Sequence, residues 1–96
     1  MIIARVVGTA VSTLKDERLE GMKLLVASQT DIHGNVTGPP FIAVDLVGAG
    51  ESELVFVVEG STARKAVGTS GAPVDAAIVG ILNSLSSEGR ATYIKS

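Results

Sequence analysis

The sequence predicts a mainly β protein, a small five-stranded barrel that is closed or nearly closed and carries one short α-helix. Two observations lead there. Apolar runs rich in Val and Ile recur along the chain between clusters of Gly, Asp, Asn and Pro, and one stretch only shows a convincing helical period. A chain of 96 residues with five such strands avoids exposed sheet edges most simply by closing the sheet on itself.

The first strand is expected over Ile2 to Thr13, where alternate positions Ile2, Ala4, Val6, Gly8 and Ala10 form one apolar face. Its other face mixes Ile3, Arg5, Val7, Thr9 and Val11, as expected where it meets solvent or another subunit. The charged stretch Leu14 to Met22 reads as a solvated loop ending at Gly21, with Leu19 as an apolar peg. A second strand runs from Lys23 to Gln29. Thr30 to Pro40 is dense in turn-forming residues and reads as a broad turn.

Phe41 to Val47 and Leu54 to Glu59 are the next two strands, joined by the short segment Gly48 to Glu53 and expected to pair as a hairpin. Gly60 to Ala72 reads as a loop of small residues. Pro73 suits a first helical turn, and Val74, Ile78, Ile81, Leu82 and Leu85 recur at i, i+4, i+7, i+8 and i+11, which predicts the single helix. After Gly89 a last short strand is expected in Arg90 to Lys95.

Composition narrows the function classes. Lys and Arg number 8 against 10 Asp and Glu, giving a formal charge of -2, and aromatics are 3%. Neither an electrostatic footprint for nucleic acid nor a stacking platform is present in such a chain. There is no cysteine, so disulfides, thiolate metal sites and Cys nucleophiles are excluded together. The apolar start is interrupted by Arg5 and is too short to span a bilayer, which points to a cytosolic protein. Without a secretion signal, the sequon at Asn35 to Thr37 is a chance match.

Hydrophobic residues make up 46% of the chain, yet a chain this short buries only about 60–65% of its surface. The excess suggests contacts between subunits.

Candidate chemistry centres on the segment from Asp45 to Arg64. Gly48-Ala49-Gly50-Glu51-Ser52-Glu53 has two glycines of a dinucleotide fingerprint, but Glu53 stands where the third belongs, and a β-branched run follows instead of a helix. Gly60-Ser61-Thr62-Ala63-Arg64 offers hydroxyls and a guanidinium. A serine nucleophile needs a base, however, and the only histidine is His33 in a polar turn. Ser61 and Thr62 suit turn hydrogen bonding. Arg64 either forks onto carboxylates or carbonyls across an interface or sits in solvent. Asp45 is either an outward strand residue or a buried acid with a partner such as Arg64, structural in both cases. Asp31 and His33 make at most a two-ligand metal fragment, so no metal or other cofactor is expected. Asp75 suits the start of the expected helix.

These residues assemble no active site, and their order resembles a known family. "GTAVST" (Gly8 to Thr13), Lys15, "EGMKLLV", "AVDLVGAG" (Ala43 to Gly50), "EGSTAR" (Glu59 to Arg64) and "PVDAAIVGI" (Pro73 to Ile81) together are similar to the EutN/CcmL vertex proteins of bacterial microcompartments. The resemblance runs nearly end to end, which treats residues 1–96 as one domain. It implies an OB-like barrel that assembles as a cyclic homopentamer, closes the five-fold vertices of a polyhedral shell in the cytoplasm and performs no catalysis. It also implies contact with the hexagonal shell proteins, for which the Leu14 to Met22 loop and the Thr30 to Pro40 turn are candidates.

A ring needs a heterologous interface, in which one patch meets a different patch of the next copy. Gly48, Ala49, Gly50, Glu51 and Ser52, with Gly60, Ser61, Thr62, Ala63 and Arg64, are the candidate interface or five-fold-axis residues, because small side chains allow close approach. Family members often carry Val and Gly where this chain has Glu51 and Ser52. The rival readings are an OB-like module for a small ligand or nucleic acid, and an enzyme pocket assembled between subunits from Glu51, Glu53, Ser61 and Arg64.

Overall fold

A computed structural model describes residues 1–13, 17–68 and 73–96. Lys15 and the last part of the expected Gly60 to Ala72 loop lie outside the described residues. The chain runs β1 (Ile2–Ala10), a 3-10 turn at Glu17–Leu19, β2 (Leu24–Thr30), β3 (Val36–Asp45), β4 (Leu54–Glu59), α1 (Gly60–Val67), β5 (Ala76–Ile81), β6 (Ser84–Ser87) and β7 (Arg90–Ile94). The first five strands close into a barrel in the order β1-β2-β3-β5-β4, and β6 and β7 form a separate two-stranded sheet. A five-stranded OB-like barrel with one short helix is therefore what forms, but the expectation misassigned some of its parts.

The stretch expected to be helical is β5 followed by β6. Ala76 and Ile78 of β5 point into the barrel, while Ala77 and Val79 pack outside it against α1 and its neighbours. A strand buried on both faces reads as continuously apolar, and in such a run a helical spacing arises by coincidence. Pro73 accordingly precedes a strand. The helix lies instead in the expected loop, where Ala63 and Val67, four residues apart, turn toward the outer core. Gly68, at φ 83°, ends it by donating its N–H to the Lys65 carbonyl.

The hairpin expected between β3 and β4 is absent. β5 lies between them, antiparallel to β4 and parallel to the end of β3 through Val44 with Ala77 and Asp45 with Ile78. β7 pairs with β6 and stays out of the barrel. The broad turn shrinks to Asp31–Asn35, because Val36 to Pro40 already belong to β3.

Two apolar layers hold these strands. Inside the barrel are Ala4, Val6, Leu25, Ala27, Ala43, Val55, Val57 and Ile78, with Ala49 entering from a loop. Outside it, Ala63 of α1 and the buried peg Leu19 cover Val44, Val58 and Ala77. The apolar face of β1 follows the expected alternation only as far as Val6. A bulge between Val6 and Gly8 then places Gly8 opposite Val26 and Ala10 opposite Leu24, on the outer side of the sheet.

Candidate subunit interface

The first candidate segment follows β3 and is organised by Asp45. Its Oδ1 accepts the N–H groups of Val47 (3.1 Å), Gly48 (3.1 Å) and Ala49 (3.2 Å), and its Oδ2 takes a second contact from Ala49 at 3.0 Å. A carboxylate that gathers three successive N–H groups turns the chain sharply. Gly48 adopts φ 75° there, a region open to glycine at little cost. Ala49 is driven into the barrel, where 1% of its surface remains exposed. Asp45 thus has the expected structural role, with backbone amides and not Arg64 as its partners.

Glu53 closes the same loop. Its carboxylate accepts the Gly50 N–H at 2.5 Å and pairs with Lys95 Nζ at 2.6 Å. Ser52 donates its N–H to the Val6 carbonyl at 2.7 Å. The Arg5 guanidinium donates to the Ser52 carbonyl and to the Gly34 carbonyl, both at 2.7 Å, tying this loop to the turn before β3. Glycine suits position 34 because the backbone there holds φ 85°, and a Cβ, 2.6 Å from Arg5 Nη2, would push the guanidinium off this contact. Glu51 and Ser52 stand exposed at the loop tip.

Ser52 holds φ 72°, which costs an L-residue roughly 1–2 kcal/mol, and a glycine at this place would escape most of it. Ser52→Gly is expected to raise stability by about 1 kcal/mol, the lower end because glycine gains freedom in the unfolded chain. A chemical-denaturation midpoint that stays put or falls would contradict the strain.

Among the described residues, two carboxyl groups, Glu53 and Asp31, titrate below their ordinary values. Lys95, then the Gly50 N–H, lowers Glu53 from 4.5. The N–H of Asn35, with the N–H of His33 and the Asn35 side chain, lowers Asp31 from 3.8. Asp31 therefore organises its own turn with His33 and Asn35 (2.8 and 3.0 Å). A depressed folded value means stability that is full above the unfolded pKa and is lost as pH falls through the folded one. Urea midpoints should be flat down to about pH 5 and then drop, and Glu53→Gln should flatten part of that drop. An unchanged acid limb in the variant would dissociate Glu53 from it.

The second candidate segment is α1. Ala63 is fully buried, Ser61 and Thr62 are exposed, and Arg64 is half-buried with Nη1 3.4 Å from the Val74 carbonyl. β4 separates the two segments by its length, about 17 Å at 3.3 Å per residue. Within one chain, Glu51 and Glu53 are therefore apart from Ser61 and Arg64.

A third surface went unforeseen. Gly8, Val26 and Ile42 form one row across the outer face of β1, β2 and β3, and Ala10, Leu24 and Val44 form the next. Ile42 is 46% exposed. Beside it, a groove of ≈ 190 Å³ runs between Leu24, Ile42 and Val44 and the chain from Pro73 to Ala76. In "FIAV" both faces of the strand are apolar, so the letters alone do not separate the outward Ile42 from the inward Ala43.

Known proteins share this architecture. The family model "Ethanolamine utilisation protein EutN/carboxysome" matches residues 1–83. The carboxysome shell vertex protein CcmL of Nostoc sp. is 45% identical, over 99% of this chain and 95% of its own. The microcompartment shell vertex protein GrpN of Rhodospirillum rubrum is 42% identical, over 88% and 96%. Among solved structures, an ethanolamine utilisation protein EutN superimposes with a TM-score of 0.92 at 36% identity, covering 100% of both chains. The GrpN structure, described as a pentameric microcompartment shell protein, gives 0.80 at 40% identity, over 91% of this chain and 99% of that one. On sequence and on fold alike, the chain belongs to the EutN/CcmL family.

Proposed function

We propose that this protein is a structural shell protein of a bacterial microcompartment, five copies of which form a ring that caps a vertex of the polyhedral shell. The observation that carries this reading is the match of the barrel to a pentameric shell protein at 40% identity. Exposed apolar side chains support it, Val7, Ile42, Leu46 and Val47 being 38–46% exposed in the single chain, a surplus that association would cover.

The interface is heterologous. One patch comprises Gly48, Gly50, Glu51 and Ser52, and the other comprises Gly60, Ser61, Thr62 and Arg64, with the outer-face row at Ile42 alongside; Ala49 and Ala63, buried within the chain, hold the two patches in place from beneath and make no contact themselves. Their separation along β4 suits a ring, in which the two meet only between copies. For contact with the hexagonal shell proteins the candidates are the exposed residues of the Leu14 to Met22 loop, Glu17, Arg18 and Glu20 among them, or those of the Thr30 to Pro40 turn, His33 and Asn35 among them. The role is geometric, without catalysis, cofactor or nucleic acid.

Native mass spectrometry tests the ring, and a stable pentamer is the expected result. Ile42→Asp, a charge placed on the outer apolar row, should weaken each contact by roughly 2 kcal/mol or more, about 30-fold, and yield smaller species while the barrel stays folded. A monomeric wild type would overturn the vertex reading. An intact ring in the variant would remove Ile42 from the interface and leave the vertex role standing.

A further inference from the structure

The β6–β7 hairpin is attached to the barrel differently from every other strand. Its strands pair with one another from Ser84 with Ile94 to Ser87 with Arg90, outside the barrel order. The family model ends at residue 83, one residue before β6, while the EutN superposition extends over the hairpin as well. Leu85, Thr92 and Tyr93 are half-buried, and the rest of the two strands is exposed. The turn is well formed, with Glu88 at φ 53° and Gly89 at φ 78°, positive at both central positions as a two-residue hairpin turn of type I′ requires. The turn sets the pairing of Ser87 with Arg90 and Ser86 with Ala91, and a bulge at Thr92 then shifts it so that Leu85 faces Tyr93.

A hairpin with little buried apolar surface is marginal in water by itself. Among the described residues, polar contacts join this one to the barrel. At its base, Leu82 donates to the Leu54 carbonyl (2.9 Å), while inside the hairpin Lys95 donates to the Asn83 carbonyl (2.8 Å) and so continues the β6–β7 pairing. Also at the base, Lys95 Nζ meets the Glu53 carboxylate at 2.6 Å and so ties the end of β7 to the barrel, and farther along β7 Thr92 Oγ1 donates to the Ile32 carbonyl at 2.6 Å. The Tyr93 ring lies over Gly34. Arg5 holds the carbonyls of both Gly34 and Ser52, so the two turns that receive the hairpin are fixed to each other.

We propose that the β6–β7 hairpin is a hinged arm that opens as one unit about Leu82 and Asn83 while the barrel stays folded, with the Glu53–Lys95 pair as its latch. Segments with few buried apolar contacts and exposed backbone hydrogen bonds occupy the low end of the local stability range. Opening releases Glu53 to the Gly50 N–H alone and uncovers Gly34, which couples the arm to the exposed Glu51–Ser52 tip.

Amide hydrogen exchange on the purified full-length protein tests this. Amides of β6 and β7 should exchange at least about 10-fold faster than those of β2 and β5. Glu53→Gln, which preserves an acceptor for the Gly50 N–H, and Lys95→Gln should each accelerate the hairpin amides a further few-fold and leave the barrel amides unchanged. Exchange of hairpin and barrel at one common rate would overturn the arm. Acceleration by Glu53→Gln but not by Lys95→Gln would overturn the latch, since the effect would then originate in the Gly50–Glu53 turn. Neither outcome depends on ring size, which native mass spectrometry of the same samples reads separately.

Discussion

Replacing Ile78 with alanine should lower unfolding stability by about 2–5 kcal/mol, a loss large enough to leave part of the chain unfolded at ambient temperature. Ile78 is 0% exposed and fills the barrel interior from β5, the strand that joins β3 to β4. Truncation there removes three methyl or methylene groups from a closed cylinder, which has little freedom to collapse onto the cavity. The contrast lies in Ile94, which is 70% exposed on the hairpin, where alanine should shift stability by no more than about 0.5 kcal/mol. Denaturant midpoints at one fixed protein concentration provide the measurement, because assembly adds a concentration-dependent stabilisation. Equal losses at the two positions would be incompatible with this barrel. Leu85 supplies a further check: a helix over residues 74–85 would make it as critical as Ile78, whereas in the hairpin it is only half-buried.

Asp45→Ala should cost roughly 2–4 kcal/mol, since one substitution frees three N–H groups that the carboxylate holds and hydrogen bonds to a charged acceptor are each worth about 1.5–3 kcal/mol without being additive. Asn should recover part of this, because its amide oxygen can still accept, without the charge. The substitution also bears on assembly. Asp45 sets the path of Gly48 to Ser52 and seats Ala49 in the core, so its loss should disperse the ring at protein concentrations where the Ala49-filled barrel remains folded. Circular dichroism and native mass spectrometry on the same sample separate the two effects. A ring as stable as wild type, in a variant whose denaturation midpoint has fallen, would show that the loop is not part of the contact.

Much of the architecture could be read from residue order. β1, β2 and β4 were legible because each is an apolar, β-branched run bounded by residues that form turns, and Leu19 was legible as an isolated apolar residue among charges. The segment from Ala76 to Ile81 misled for a physical reason. Alternation marks a strand with one wet face, and β5 has neither face wet: Ile78 is covered by the barrel and Ala77 by α1. The helix was obscured by its opening Gly-Ser-Thr, weak helix formers, although Gly68 and the Ala63–Val67 spacing carried a usable signal. The loop residues Gly48 to Ser52 were visible as a turn, but Asp45 as its organiser was not, because a carboxylate four residues upstream of Ala49 has no sequence pattern of its own.

Residue types and their order were sufficient for a mainly β chain and for the family to which its motifs belong. These are properties of composition and local pattern, which every copy of the chain carries whether folded or not. Strand order, the β1 bulge that turns Gly8 outward, the long-range Arg5 contacts to Gly34 and Ser52, and the exposure of Ile42 emerged with the closed barrel. They depend on which distant segments meet, and a strand surrounded by apolar residues on both sides has no local feature that names its neighbours.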